Sequence, residues 1–525
     1  MKSAPLYIRT QTATNQLSHA ETTVWLFLRQ RFVAMLKKCG NSDFPLTPAS
    51  RTKCYIYPLE MRSAPLFEAV ADTVTFSLYS AAEVASMKSF FPTRLSQMFS
   101  RVVCVNLVTV ILAMIAFSVS ALAQDVTQSK ILAGYFEEWS IYGANYNIAN
   151  LQDNGAANHI SHLIYAFGNV APTSGPPDAT CQLADTWADY QTPYLPSVIK
   201  NKPYPGPLYG NFAALQQLKQ LHPDLKILIS LGGSSATNAA GFSYAASTAS
   251  LRAQLVSSCI DLFINGNLAP GISAAGIFDG FDIDWEFPTA SDKHNFTLLL
   301  AEFRKQLKAL GAANNTQYQL SIFAPAGSQN YSNIELGAAG RQLDFLNVQS
   351  YDMHGTWEST TNHASPLYDS PEDPTYGQGY DIEDTIAAYL AGGVPAGKLL
   401  VGVPFYGYGW TGVPDINHGL YQSSTGPAPS PAGDVLETNG QATYGTLQTQ
   451  TGFTHYLDKI SIAQWIYSPD TQTFWTYDTT NTALFKMAYV NTRVPGGLGG
   501  AFFWAFKDDD AHASMVKAMA KGLVR

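Results

Sequence analysis

The chain has 525 residues, 46% hydrophobic and 14% charged, which excludes disorder over most of its length and provides core material for one large α/β barrel or two to four ordinary domains. Of its 31 basic and 40 acidic residues, 12 and 6 precede residue 124, so the body beyond holds 19 and 34. So acidic a body argues against nucleic acid and anionic membrane surfaces as partners and suits a neutral or weakly cationic substrate.

Residues 1–97 mix Ser, Thr, Pro and basic residues without sustained periodicity and contain a near-repeat, "MKSAPLY" and "MRSAPLF". At Met98 begins "MFSRVVCVNLVTVILAMIAFSVSALAQ": one basic residue, Arg101, a long apolar run, then Ala121-Leu122-Ala123. The run is nearly long enough for a membrane anchor, but the short basic start and small-x-small end fit a secretory signal peptide cleaved after Ala123. The expectation is therefore an upstream extension (1–97) outside the mature protein, a signal peptide (98–123), and a secreted, extracellular body (124–525) without stable membrane association.

Past residue 124 short apolar runs recur: "KILAGYF" (130–136), "HLIYAFGNV" (162–170), "KILISLGG" (226–233), "GFDIDWEF" (280–287), "YQLSIFAPAG" (318–327), "LDFLNVQSYD" (343–352), "KLLVGVPFYG" (398–407) and "GGLGGAFFWAF" (496–506). Runs this continuous fit strands buried on both faces, as in a parallel sheet. Between them Phe212, Leu215, Leu218 and Leu221, and again Phe296, Leu300, Phe303, Leu307 and Leu310, recur at helical spacing. Eight strands alternating with helices predict an α/β fold, a (β/α)8 TIM barrel running almost to Arg525, with its active site at the C-terminal strand ends. No GxGxxG turn follows the first strand to favour a doubly wound sheet. A stretch at 411–476, rich in Gly, Thr, Tyr and Pro and weak in helical periodicity, predicts a small α+β insertion between strand 7 and helix 7.

Only Cys181 and Cys259 lie beyond Ala123. They could form one disulfide in an exported protein, yet Cys259 in "LVSSCIDLFI" also reads as an ordinary buried helix residue. No CxxC, HExxH or Cys/His cluster signals a metal, and no cofactor is expected.

The chemistry concentrates in "FDGFDIDWEFP" (278–288). Strand alternation puts Asp282, Asp284 and Glu286 on one face and Phe281, Ile283, Trp285 and Phe287 on the other. In a barrel strand the acids then line the interior, with Glu286 outermost. Three close carboxylates in a low-dielectric interior cannot all ionise, so the set holds at least one proton, which suits general acid catalysis. A metal cage lacks further ligands nearby, and a solvated acidic strand would not alternate with Phe, Ile, Trp and Phe.

"DGFDIDWE" matches the D-x-x-D-x-D-x-E signature of the family 18 glycoside hydrolases, the chitinases, and the chain resembles that family from about residue 130 to 510. "SLGG" (230–233) is similar to the family's S-x-G-G on strand 3, and "QSYD" (349–352) stands at its M-x-Y-D on strand 6. "GYF", "YAF" and "GGLGGAFFW" fit strands 1, 2 and 8. The resemblance implies a monomeric enzyme acting on chitin and chitooligosaccharides by substrate-assisted, retaining hydrolysis. It implies Glu286 as the acid, Asp284 as holder of the acetamido N–H and sharer of a proton with Asp282 or Glu286, and Tyr351 as donor to the acetamido carbonyl with Asp352 beside it. Ser230 would hydrogen-bond the inner acids, and Trp504 would form the platform under the sugar at the scissile bond. Tyr135, Phe167, Gly232, Gly233, Trp285, Gln349 and Trp357 complete the expected substrate-contacting set; Trp139 and Trp410 are further cleft candidates, and His354 is expected to be structural. Gln349 in place of the frequent Met, and Tyr408 where many members have Arg, are departures. An endo-β-N-acetylglucosaminidase acting on N-glycans, or a non-catalytic chitin-binding lectin, are the rival readings; the lectins typically lack the terminal Glu.

Overall fold

The computed structural model describes residues 130–172 and 179–523. The signal-peptide segment and the extension before it lie outside the described residues.

Eight strands close a parallel barrel: β1 (Ile131–Glu137), β2 (His162–Pro172), β3 (Lys226–Gly233), β4 (Gly280–Trp285), β5 (Gln319–Ala324), β6 (Phe345–Val348), β7 (Leu399–Pro404) and β8 (Gly500–Trp504). Each pairs with its neighbours in sequence, and β1 pairs with both β2 and β8. A ninth strand, Ala179–Leu183, runs antiparallel beside β2. The strand ends differ from the expected runs by a few residues. The difference that bears on the site is in β4, which ends at Trp285, so that Glu286 sits in the turn beyond it rather than within the strand.

The alternation along the strands sorts side chains into two apolar layers. Phe281, Ile283 and Trp285 join the large layer between strands and helices. A smaller cluster with Tyr135, Leu228, Phe323, Phe345, Leu400 and Phe502 fills the barrel interior. Full burial of a side chain such as Phe281 contributes roughly 1.5–3 kcal/mol, so the parity of β4 is strongly enforced: a one-residue slip would drive Asp282 and Asp284 into the helix layer. Helices occupy Gly210–Leu221 and Lys293–Asn314. Phe212, Leu215 and Leu218 are buried as their spacing predicts, but Leu221, in the last turn, is exposed.

The segment after β7 departs at once from the barrel. Tyr406–Thr411 already belongs to a separate six-stranded sheet that ends with Thr473–Tyr477, so the insertion begins earlier than the glycine-rich composition predicted. The reason lies in "YGYGW": aromatic side chains alternate with glycine, and Tyr406, Tyr408 and Trp410 on one face pack with Trp465, Tyr467 and Phe474. Trp410 is fully buried there, its Nε1 donating to the Glu358 carbonyl at 2.9 Å, so it is core and not cleft. The helix Thr480–Thr492 then returns the chain to the barrel, opened by a capping box of Thr479 and Thr482.

Cys181 and Cys259 are joined by a disulfide with a Cα–Cα distance of 4.9 Å. Cys259 is also a buried helix residue, so both readings of it hold. The bridge spans 78 residues, for which loop-closure entropy gives ~4 kcal/mol of stabilisation, with measured bridges commonly at ~2–4 kcal/mol. Cys181→Ala/Cys259→Ala is expected to lower the urea-unfolding free energy by ~2–4 kcal/mol with hydrolysis intact, because neither cysteine is among the residues that line the cavity. An unchanged urea midpoint would show that the bridge adds nothing to stability.

Candidate active site

The C-terminal strand ends surround a cavity of about 360 Å³ whose walls include Asp284, Glu286, Tyr351, Asp352, Trp504 and Phe167. Asp282 lies beneath it, fully buried. Its Oδ2 accepts hydrogen bonds from the Tyr135 hydroxyl (2.9 Å) and Ser230 Oγ (2.8 Å), and its Oδ1 from Ser321 Oγ (2.7 Å) and Asn347 Nδ2 (3.2 Å). These donors come from β1, β3, β5 and β6. Burial raises the pKa of Asp282, and the four hydrogen bonds pull it back.

Asp284 has no such retinue. Its Oδ1 is buried and meets no donor among the described residues, while the carboxyl group shares a hydrogen bond with Glu286. Burial, then the charges of Glu286 and Asp282, hold its pKa well above the usual carboxylate range. Glu286 is pushed up to about 7, first by burial and then by the charge of Asp352, with the hydrogen bond to Asp284 opposing. The acids therefore differ in environment: Asp282 at the bottom is met by four donors, Asp284 in the middle is raised by burial and like charge, and Glu286, just beyond the strand, is pushed up to about 7.

Asp352 adjoins this stack in a left-handed backbone conformation (φ 59°). Its Oδ1 accepts from the hydroxyls of Tyr406 (2.7 Å) and Tyr408 (3.0 Å), and Gln349 supplies a further hydrogen bond. The two departures from the family pattern thus converge on one carboxylate: Tyr408 and Gln349 both hold Asp352 through neutral donors. Tyr351, almost wholly buried, packs against Phe502, Tyr406 and Phe323, and its hydroxyl is held firmly protonated by burial and by the charge of Asp352.

Phe167 stacks between Trp139 (centroids 6.0 Å apart) and Trp504 (5.8 Å), making an aromatic run along one wall. A flat apolar wall suits the C–H faces of pyranose rings. The glycines of "SLGG" shape this region without lining it. Gly232 has φ +118°, and a Cβ there would stand 2.1 Å from the Asp284 carbonyl oxygen, so only glycine lets β3 approach β4 beside the acids. Gly233 lies against the Phe167 ring.

Two expected substrate contacts, Trp285 and Tyr135, are corrected. Trp285 points outward, stacked on Phe242 (5.3 Å) and edge-on to Phe296 (5.5 Å), because its parity opposes that of the acids. Tyr135 is fully buried under Trp504 and serves Asp282, as Ser230 does. Trp357 is 60% exposed outside the cavity wall, edge-on to Tyr408. His354 is structural, buried between Glu358 and Thr375. The first acid of the signature, Asp279, is structural too: at the opposite end of β4 it pairs with Lys219 at 2.8 Å and accepts from the Ile227 N–H.

Sequence reasoning missed Ser321, Asn347, Tyr406, Glu137, Lys507 and Asp508. Ser321 and Asn347 carried a usable signal, being polar residues inside otherwise apolar buried runs. The others stand at the ends of elements, Glu137 closing β1, Tyr406 opening the insertion's first strand and Lys507 and Asp508 in the turn after β8, where periodicity marks direction poorly. Among the described residues no group of three or more His, Cys, Asp or Glu is disposed to hold a metal ion.

The family model "Glycosyl hydrolases family 18" matches residues 131–509. The chain is similar to Chitinase A1 of Niallia circulans, 30% identical over 434 residues, covering 75% of this chain and 58% of that protein. It is 34% identical over 395 residues to Chitinase C of Streptomyces lividans, covering 74% and 58%. Among solved structures, the catalytic domain of psychrophilic chitinase B from Arthrobacter TAD20 superposes with a TM-score of 0.68 at 35% identity, covering 76% of this chain and 96% of that one. The match thus spans less than two thirds of the length of these two curated relatives. A closed eight-stranded barrel, an acid ladder on its fourth strand and a family match over most of the chain agree, and the chain belongs to the family 18 glycosyl hydrolases.

Proposed function

We propose that the protein is a secreted chitinase that hydrolyses β-1,4-linked N-acetylglucosamine polymers with net retention, acting as a monomer on chitin and chitooligosaccharides. The observation that carries this reading is the division of labour among four carboxyls. Asp282 and Asp352 are each engaged by several protein donors, and burial and like charge raise Asp284 well above the usual range; of the four, Glu286, near neutrality at the cavity wall, is the one placed to exchange a proton with substrate. With no free carboxylate left as nucleophile, the nucleophile is supplied by the substrate, as in the family's exception to the two-carboxylate scheme.

In this mechanism Glu286 gives its proton to the glycosidic oxygen as the C1–O bond breaks. The 2-acetamido carbonyl oxygen bonds to C1, forming an oxazolinium ion. The unpartnered Oδ1 of Asp284 accepts the acetamido N–H, and the Tyr351 hydroxyl donates to the acetamido oxygen. Water then attacks C1, losing a proton to the Glu286 carboxylate, and the ring opens with the β-configuration restored. Export is supported by the signal-like segment at 98–123 and by the Cys181–Cys259 bridge, which belongs to an oxidising compartment.

The deciding experiment is anomer-resolved NMR and mass spectrometry of products from colloidal chitin and from a biantennary N-glycan. Chitooligosaccharides released from chitin alone as the β-anomer are the expected result. Cleavage of the glycan without chitin would replace this reading by an endo-β-N-acetylglucosaminidase, and binding without products by a lectin.

A further inference from the structure

At the junction of β1 and β8 a lysine is held where the barrel gains nothing obvious from it. Lys507 Nζ lies 3.0 Å from Glu137 Oε2 and 2.8 Å from Asp508 Oδ1, and the three side chains are 7%, 5% and 1% exposed. All three line the cavity, together with Trp139 and Trp504. A buried ion pair generally stabilises no better than apolar side chains of the same size. Here two carboxyls face one ammonium, an imbalance that pushes Glu137 up to about 7 through burial and the nearby Asp508 charge, against the pull of Lys507. A staple between β1 and the loop after β8 would not require it.

The ammonium group has three N–H donors. Asp508 Oδ1 takes one, and Glu137 Oε2 stands 3.0 Å away as an ion-pair partner, leaving at least one for a cavity occupant. An occupant that meets a largely desolvated ammonium beside an aromatic wall needs a strong neutral oxygen acceptor. Of the groups on an amino-sugar polymer the amide carbonyl is the best of these, whereas the free amine of a deacetylated unit is a cation and meets a like charge.

We propose that Lys507, held by Glu137 and Asp508, is a specificity residue that donates to the acetamido carbonyl of the sugar adjoining the one over Trp504, so that the cleft selects an N-acetylated unit there over a deacetylated one. This rests on the reading of the cleft as a site for N-acetylglucosamine polymers. The acetamido clamp of Asp284 and Tyr351 reads a different sugar, the one whose bond is cut.

The test uses the full chain in the Glu286→Gln background, which removes turnover. Calorimetry compares fully N-acetylated chitotetraose with a tetramer deacetylated at the adjoining unit. Binding is expected to favour the acetylated ligand by about 10- to 100-fold, as a charge-assisted hydrogen bond gives. Adding Lys507→Met with Glu137→Gln, which keeps the charge balance, is expected to erase most of that ratio; Lys507→Gln, a neutral donor, is expected to keep part of it. Near-UV circular dichroism checks that each variant is folded, and a misfolded Met variant leaves Lys507→Gln to decide. An unchanged ratio in folded variants overturns the assignment alone and makes the triad an ion-pair staple. Failure of the Glu286→Gln protein to bind either tetramer, with no cleavage of chitin by the wild type, overturns this assignment and the chitinase reading together.

Discussion

Glu286→Gln is expected to lower turnover of chitooligosaccharides by roughly a thousandfold, within the range of about 10²–10⁴ for loss of a general acid, while binding stays within a few-fold of wild type. The amide is nearly isosteric, keeps a hydrogen-bonding partner for Asp284, and lacks only the proton that the leaving oxygen needs. The contrast with Asp282 makes the prediction sharp: Asp282→Asn would turn two of four accepting directions into donors facing donors, and would disturb the network of Tyr135, Ser230, Ser321 and Asn347. Loss at Glu286 is therefore chemical, and loss at Asp282 structural. Steady-state kinetics paired with calorimetry separates them. A Glu286→Gln enzyme that still turned over at a tenth of the wild-type rate would remove Glu286 from the role of acid.

The second expected result concerns pH. As the proposed acid, Glu286 acts in its protonated form, and its pKa is pushed up to about 7, so kcat/KM should fall as pH rises through neutrality. The charge on Asp352 is the second cause of that elevation, so Asp352→Asn removes a negative neighbour and lets Glu286 lose its proton at lower pH. The descending limb then moves to the acid side, and kcat/KM at pH 7.5 relative to pH 5.5 drops by roughly 3- to 10-fold, since one unit of pKa is tenfold in the protonated fraction. Tyr408→Phe is expected to move the limb the same way by less. Without that donor the ionised form of Asp352 is less favoured, and a less charged Asp352 raises Glu286 less. Full pH–rate profiles of the three proteins make the check; a limb that stays in place in Asp352→Asn would mean that Asp352 is already neutral, or that another group sets the limb.

Much of the molecule was legible in its sequence, for a definite reason. A strand has period two and a buried strand must be apolar, so eight apolar runs announced eight strands. The polar exceptions on one parity, Asp282 and Asp284, announced an interior with a chemical purpose. Ser321 and Asn347 were announced by the same rule and could have been read by it. Trp285 shows the rule outranking the motif: it lies inside the signature, but its parity sends it to the helices.

The sequence by itself determined the barrel, the strand that bears the acids, the order of those acids towards the mouth, and the family. The tertiary structure alone decided how the acids differ in environment, because that depends on donors brought together by barrel closure: Tyr135 and Asn347 reach Asp282 across 147 and 65 residues of chain. It also decided where the insertion begins, that Tyr408 and Gln349 serve a single carboxylate, and that Lys507 meets Glu137 beside the cavity. Periodicity encodes which face a side chain takes within its own strand. Desolvation and hydrogen bonding between strands act through distance in space, and only the closed barrel sets that distance.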